Sequence, residues 1–473
     1  MGLFENTDKY HYSFFILAGL NISLNYMFYT YSTGIMDIIL KHIFRYVYPS
    51  NPEFLVTFIA SSVYLSALFG SLTAGPLATK LGRRKLLMIA DVFAVFGVLL
   101  ALLPSLAVMI IGRLIVGFTI GIVTVVNPLY FTEMAPLDYR GPISLGSCSF
   151  MSIGMFLAFL GGFFMPDYHS AVENNTWRIL LGVSIAFPIF NLINFTLFFR
   201  EETPTHYVFK DRIEEAKQTL QKIYKQGANE RLYKIQKEKN YIAPRATKVK
   251  FRDLFTKKYR LACFVAIVVM FVQQIAGYEV FSVYITEIFE DGMDPNDHSM
   301  LPLILSLVFA FIHMISEILL IFFSYGEKNK PPLVTGSILS GVCLLLFGVL
   351  GLTVGLQSFW SKIFLLLWPL PMAYSLGHLP YLVTPETLPP IAESVAFTTH
   401  WLFAFLAVQF FPTISSGLGV HRTLIIMGVV VIFGAIFLAF TLVETEEKNK
   451  DEILKEYKEE DDEVSHLNPL HSS

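Results

Sequence analysis

Apolar runs of membrane-crossing length recur along the whole chain, and no other feature constrains the fold as strongly. A helix needs roughly 20 predominantly apolar residues to cross the hydrocarbon of a bilayer. Twelve stretches meet that need, near 14–40, 54–79, 86–104, 107–131, 142–165, 179–199, 260–288, 301–324, 332–355, 360–384, 393–415 and 421–443. Inside lipid each must satisfy its own backbone polar groups, so each is expected to be helical. The chain has 473 residues, of which 54% are hydrophobic and 15% charged, against about 25% charged in an ordinary soluble chain. Disorder is excluded by the same figures. A net charge of −3 gives no electrostatic basis for binding nucleic acid. Cys148, Cys263 and Cys343 all lie in apolar runs, so no disulfide framework is implied. The expectation is an all-α, multi-pass protein whose standing partner is the lipid bilayer.

The first run is diluted by Asn21, Ser23, Asn25, Thr30, Ser32 and Thr33, groups expected to face neighbouring helices or a cavity rather than lipid. The start MGLFENTDKYHY lacks a basic n-region, and the run after it is too long for a signal-peptide core, so the first helix is expected to serve as its own insertion signal. Lys80, Arg83, Arg84 and Lys85 follow the second run, and Lys and Arg are dense from Lys210 to Arg260. The loop after the seventh is acidic, with Glu287, Glu290, Asp291, Asp294 and Asp297. The positive-inside rule therefore puts both termini and the central loop on the cytoplasmic-type face. Which membrane holds the protein is not encoded; Asn174-Asn175-Thr176 forms a glycosylation sequon compatible with the secretory route.

The organisation reads as residues 1–200, an N-terminal six-helix bundle; 201–259, a cytoplasmic helical linker; 260–443, a C-terminal six-helix bundle; and 444–473, an acidic tail. Within the linker, DRIEEAKQTLQKIY offers Asp211 as a helix cap with Glu214 three residues on. Ile213, Ala216, Leu220, Ile223 and Tyr224 would then share a face packed on the bundle. The tail shows no apolar stripe and is expected to be disordered unless a surface holds it. The halves also echo each other: GRRK at 82–85 and PLYFTE ending at Glu133 in the first, KNKP at 328–331 and PYLVTPE ending at Glu386 in the second. A repeat of about 250 residues is the pattern of transporters built from two similar bundles with substrate held at mid-membrane.

From about residue 28 to 447 the chain resembles the sugar porter branch of the major facilitator superfamily. GPLATKLGRRK is similar to that family's cytoplasmic gate motif G-x-L-A-D-R-x-G-R-R-K, with Gly75, Gly82, Arg83 and Arg84 matching and Thr79 standing where the acid belongs. GRLIVGFTIGIVTVVNPLYFTEMAPLDYRG matches the fourth-span signature at Arg113, Gly117, Gly121, Pro128, Tyr130, Glu133, Pro136, Arg140 and Gly141. Glycines there permit close helix approach, and a membrane arginine must find an acceptor or water. Glu133 and Arg140 are read either as ion pairs that break and re-form or as a static pair. EETPT resembles the family's P-E-S-P-R, keeping Glu202 and Pro204. QQIAGYEVFSVY resembles the seventh-span Q-Q-x-S-G-I-N-x-x-x-Y-Y, whose glutamines bind sugar hydroxyls. The resemblance thus implies sugar-binding roles for Gln273, Gln274 and Tyr284. An amide suits a sugar because it donates and accepts at once, although two adjacent glutamines by themselves would equally serve helix–helix bonding.

The departures fall on substrate and gating positions. Ser32 occupies the first-span site that holds Asp in proton-coupled members of the family, so proton symport by that route is not expected. Cys148 stands where a sugar-binding Gln is expected, Glu279 where Asn is, and His313 and His400 at two further Asn sites, His400 beside a retained Trp401. Tyr381 replaces a Trp, and Glu393 reverses the charge of an Arg. The second gate reads YGEKNK, without clamp arginines, and the motif after the twelfth span reads VETE for P-E-T-K. A buried carboxylate is costly unless paired, so Glu279 is expected to meet His313 or His400. His313 and Glu317 are four apart on one helical face and can meet each other. This set is either a changed substrate or proton site, or an internal ion pair filling a disused cavity.

The resemblance implies the major facilitator fold of twelve helices in two pseudo-symmetric bundles and facilitative uptake of a hexose or similar small polar solute around Gln273, Gln274 and Trp401. The alternative is a transport-inactive relative acting as an accessory subunit of a larger membrane assembly, for instance in the mitochondrion, with protein partners on the acidic tail. No nucleophile elbow, zinc spacing or phosphate loop is present, so neither an enzyme nor a bound cofactor or metal is expected.

Overall fold

The computed structural model describes residues 10–47, 50, 52–136, 140–165, 175–246, 251–294, 299–323, 328–388, 390–445, 448 and 452–457. Among these the regular structure is helical. The helices are α1 (Tyr12–His42), α2 (Glu53–Leu81), α3 (Arg83–Ala101), α4 (Leu106–Met134), α5 (Arg140–Gly162), α6 (Thr176–Val183), α7 (Ala186–Leu197), α8 (Pro204–Phe209), α9 (Ile213–Ile223) and α10 (Ala228–Ala246). They continue as α11 (Arg260–Ile275), α12 (Tyr278–Glu290), α13 (Leu301–Phe323), α14 (Lys330–Val354), α15 (Phe359–Leu367), α16 (Pro369–Tyr374), α17 (Leu379–Thr387), α18 (Pro390–Leu418) and α19 (Val420–Thr441). Nine spans among the described residues are long and apolar enough to cross a membrane. The chain divides into two compact units, one comprising Met1–Arg245 with His298–Leu303 and the other Ala246–Asp297 with Ile304–Ser473.

In the first unit α2 packs on α4, α1 on α5, and α3 on α4. The polar residues that dilute α1 point inward. Asn25 Nδ2 donates to Asn127 Oδ1 on α4 at 3.3 Å, Thr30 Oγ1 to the Met151 carbonyl on α5 at 2.5 Å, and Tyr31 Oη to the Leu180 carbonyl on α6 at 2.8 Å. Lipid offers no alternative partner, so these bonds fix which face of α1 turns inward. α3 misses the apolarity of a simple span because Arg83, Arg84, Lys85 and Asp91 lie within it; Asp91 is buried and accepts from Asn191 Nδ2 of α7 at 3.0 Å.

The linker differs from its sequence reading in one detail. Asp211 does not cap α9. It sits at a left-handed φ of 60° and pairs with Lys239 at 2.6 Å; Arg212 holds the cap position without a side-chain capping bond. The amphipathic face is as expected, with Ala216, Leu220 and Ile223 buried. Ala216 and Leu220 pack with Val208, Leu232 and Ile235 of the neighbouring linker helices, while Ile223 joins the bundle core.

In the second unit α14 packs on α19, and α11 on both α18 and α19. Two spans there are broken. Between α11 and α12, Gly277 adopts φ 100°, a conformation L side chains rarely take, and an added Cβ would come within 2.8 Å of the Phe281 ring. The helical line through α15, α16 and α17 opens at residues 375–378, where Ser375 has φ −127° and ψ −89°. The start of the acidic tail has a surface that holds it, and a short apolar stripe that the sequence reading did not expect. Residues 452–457 are helical, Ile453, Leu454 and Tyr457 are buried, and Tyr457 Oη accepts from the Val443 amide at 3.2 Å. Three apolar residues spaced i, i+1, i+4 make a short stripe that the surrounding charge conceals.

Candidate functional site

Each unit carries a polar cluster at one end of a helix. In the first, Glu202 closes the N-terminus of α3. Its Oε1 accepts from the amides of Arg83 and Arg84, each at 3.0 Å, and its Oε2 from Arg84 again at 3.1 Å and from Lys85 at 3.4 Å. A carboxylate there meets orphan N–H groups and the positive end of the helix dipole. Gly82, at φ 97°, lets it in, since a Cβ would strike the Glu202 carboxylate. The arginines point elsewhere. Arg83 Nη2 forms an ion pair with Glu133 Oε1 at 2.8 Å, and its Nη1 lies 3.3 Å from His206 Nδ1. Arg84 Nε and Nη2 donate to the Phe199 and Phe195 carbonyls, both at 2.5 Å, around the C-terminus of α7, where a cation is favoured. His206 must offer a bare Nδ1 to a guanidinium, so its neutral form is selected. Burial, with Arg83 adding to it, holds the imidazole below the usual histidine range, and the nearby Glu202 opposes that shift.

Further in, the buried Arg113 finds acceptors for Nε and Nη1 on Ser32 and Ile59, while its Nη2 has no hydrogen-bond partner among the described residues. Nη1 donates to Ser32 Oγ at 2.8 Å and to the Ser32 carbonyl at 3.0 Å, and Nε to the Ile59 carbonyl at 3.3 Å. Gly117 and Gly121 let α4 meet α2 backbone to backbone: a Cβ on Gly117 would strike the Val63 carbonyl, and one on Gly121 the Ala67 carbonyl. Gly75 faces open space. The side chains of Arg140 and Cys148 lie outside the described residues, as does Asn174 of the sequon.

The second unit repeats the end cluster with different chemistry. Glu444 Oε1 and Oε2 accept from the amides of Asn329 and Lys330 at 2.9 and 3.2 Å, at the N-terminus of α14. Asn329 Nδ2 reaches Glu386 Oε2 at 3.3 Å and Thr445 Oγ1 at 2.9 Å. Glu444 thus does for α14 what Glu202 does for α3, and Asn329 stands to Glu386 as Arg83 stands to Glu133. An amide–carboxylate bond replaces an ion pair. The sequence reading missed this role of Glu444, although the repeat and the retained acid in VETE could have supplied it.

The glutamines of α11 are fully buried and converge on His400 of α18. Gln273 Oε1 lies 3.1 Å from His400 Nδ1, and Gln274 Nε2 lies 3.0 Å from the same nitrogen. Gln274 Nε2 also lies 3.5 Å from His400 Nε2, so a ring protonated at Nδ1 donates to Gln273 Oε1 while its bare Nε2 faces the Gln274 amide. Gln274 Oε1 is buried without a hydrogen-bond partner among the described residues, and such an acceptor calls for water or a ligand hydroxyl. His400 Nε2 lies 3.3 Å from Tyr381 Oη. Trp401 stands edge-on to the His400 ring at 4.9 Å. Gln273 Nε2 donates to the Leu376 carbonyl at 2.6 Å, a backbone acceptor freed by the break at 375–378. That carbonyl was not legible in the sequence; the clue was the Gly377 and Pro380 pair inside an apolar run.

Other expected site residues have settings of their own. Tyr284 donates to the Val408 carbonyl at 3.0 Å and stacks on Phe411 at 5.5 Å, which ties α12 to α18. Glu279 is buried in the first turn of α12, where the helix dipole favours a carboxylate. His313 faces Glu317 at 3.6 Å, as their spacing allows.

A family model described as "Sugar (and other) transporter" matches residues 10–457. The glucose transporter GlcP of Staphylococcus epidermidis is 30% identical over 458 residues, covering 95% of this chain and 97% of that protein. The facilitated trehalose transporter Tret1 of Bombyx mori is 27% identical over 415 residues, covering 84% and 78%. Among solved structures, the xylose transporter XylE from E. coli in a partially occluded inward-open conformation superposes with a TM-score of 0.79 at 18% identity, covering 92% of this chain and 100% of that one.

Proposed function

The chain belongs to the sugar (and other) transporter family, with the twelve-helix major facilitator fold, and from that premise we propose that it is a facilitative carrier for a hexose or similar small neutral polyol, working by alternating access. The observation that carries the reading is the convergence of Gln273, Gln274, Tyr381 and His400, with a buried acceptor on Gln274 left over. Amides and a phenol can donate to and accept from the hydroxyls of one sugar ring. His400 brings two ring nitrogens to the cluster, one that donates and one that accepts when the ring is neutral. Trp401 supplies an apolar wall beside it.

Ser32 makes uniport the natural mode. Arg113 is answered by a hydroxyl and carbonyls, so the first span holds no carboxylate to take a proton in that place. Both termini are assigned to the cytoplasmic-type face by the distribution of Lys and Arg. The accessory-subunit alternative drew on the altered second gate and the acidic tail. The first of these keeps its cap through Glu444, and the start of the second folds on its own chain.

The test is saturable uptake of radiolabelled D-glucose into sugar-free proteoliposomes holding the purified full-length protein. Uptake above protein-free vesicles, competed by unlabelled hexose, is expected. Uptake equal to that of empty vesicles would count against the reading.

A further inference from the structure

Arg113 carries a charge that no neighbour of opposite sign meets. It is 1% exposed and sits in α4, one of the spans apolar enough to cross a membrane. A charge in that setting is costly unless it is paired. Its contacts are all to neutral groups: Nη1 to the hydroxyl and the carbonyl of Ser32, and Nε to the Ile59 carbonyl. Nη2 has no hydrogen-bond partner among the described residues. The carboxylates of the neighbouring spans are engaged elsewhere or turned away. Glu133 pairs with Arg83, and Asp91 accepts from Asn191. Asp37 follows Ser32 by five residues, which places it about 140° round the helix.

Ser32 supplies a second donor at the same place. Its Oγ accepts from Nη1 at 2.8 Å, so the hydroxyl proton is left to give. Nη2 shares the guanidinium carbon with Nη1, and its protons and the Ser32 proton flank one contact. The buried Tyr64 of α2 is within electrostatic reach of the guanidinium. An occupant of this place must accept from an N–H and an O–H, and it must carry a charge of −1. A water would accept from both and leave the guanidinium uncompensated. Ser32 and Tyr64 are both 0% exposed, an enclosure that suits a small spherical ion better than a polyatomic one.

We propose that Arg113 Nη2 and Ser32 Oγ hold a monovalent anion of halide size, chloride under ordinary conditions. The ion supplies the negative charge that an Asp at position 32 would supply, and charge-assisted hydrogen bonds from both donors hold it. Its contacts join α1 to α4 beside α2, which Arg113 already reaches through Ile59. An anion bound only by the folded chain stabilises that packing by mass action. The site stands whether or not the protein carries a sugar.

Thermal melting of the purified full-length protein in mild detergent tests the site without reference to transport. Sodium chloride is exchanged for sodium methanesulfonate at constant pH and ionic strength. The wild type is expected to melt at a higher temperature as chloride rises, along a saturating curve, and bromide should act as chloride does. Ser32→Asp, which sets a carboxylate beside the guanidinium, should melt independently of the halide. Ser32→Ala keeps the charge and loses one donor. Its half-saturating chloride concentration should rise about fivefold, the equivalent of one hydrogen bond of about 1 kcal/mol. A wild-type melting temperature that ignores chloride overturns the site. An undiminished chloride effect in Ser32→Asp, or an unmoved half-saturation point in Ser32→Ala, overturns it as well. If Ser32→Asp does not fold, the Ser32→Ala titration decides alone.

Discussion

His400 joins more of the proposed hexose site than any other side chain in it. It stands where the resembling family has Asn, and it meets both glutamines and Tyr381. We expect His400→Ala to raise the KM for D-glucose about fivefold, the equivalent of one ordinary hydrogen bond of about 1 kcal/mol, with folding intact by thermal melting. No change in KM would remove His400 from the site. His206 gives a second residue-level prediction. Its folded form is held below the usual value of about 6.5 chiefly by burial. Its contribution to stability is therefore full above that unfolded value and is lost as pH falls toward the lower folded one. The melting temperature should drop on acidification from pH 8 to 5, and His206→Phe should shrink that drop. The sequence displayed both histidines but not their partners. The glutamines and His400 are far apart in the chain, and only the packing of α11 on α18 brings them together.

Helix ends and helix breaks decide the geometry at the scale of elements. Glu202 and Glu444 cap α3 and α14 through backbone amides. Replacing either by Ala should cost about 1–2 kcal/mol, as loss of a capping side chain does, and should lower the melting temperature without changing sugar affinity. An unchanged melting temperature in both variants would contradict the capping role. The spans themselves were legible because apolar length forces helix in lipid. The breaks were legible only in part. Gly277 marks one through its left-handed backbone, but the opening at 375–378 exposes the Leu376 carbonyl, and a backbone atom leaves no trace in residue identity. Asp211 misled for a related reason. A capping residue type was present, yet pairing with Lys239 across the linker took the carboxylate elsewhere.

The whole molecule is a duplication whose halves have diverged in charge. Each unit keeps an acid-capped helix and a partner for the acid ending the fourth or tenth span, but the first uses Arg83 with Glu133 and the second Asn329 with Glu386. Both partners are charged in the first contact and only the carboxylate in the second, so Coulomb attraction adds to the first alone. Glu133→Gln should therefore depress D-glucose transport more than Glu386→Gln, read as kcat in proteoliposomes; equal losses would mean that the two clamps are energetically alike. The duplication could be read from GRRK and KNKP with their distant acids, whereas the survival of the second contact as an amide–carboxylate bond became visible only in the folded chain. If the paired glutamines and His400 form the hexose site of a carrier, D-glucose counterflow should report on them. The comparison sets proteoliposomes of the full-length wild type beside those of a Gln273→Ala, Gln274→Ala double variant. The wild type should accumulate label transiently above equilibrium and the double variant should lose that overshoot; no overshoot in the wild type, or an undiminished one in the variant, would contradict that assignment.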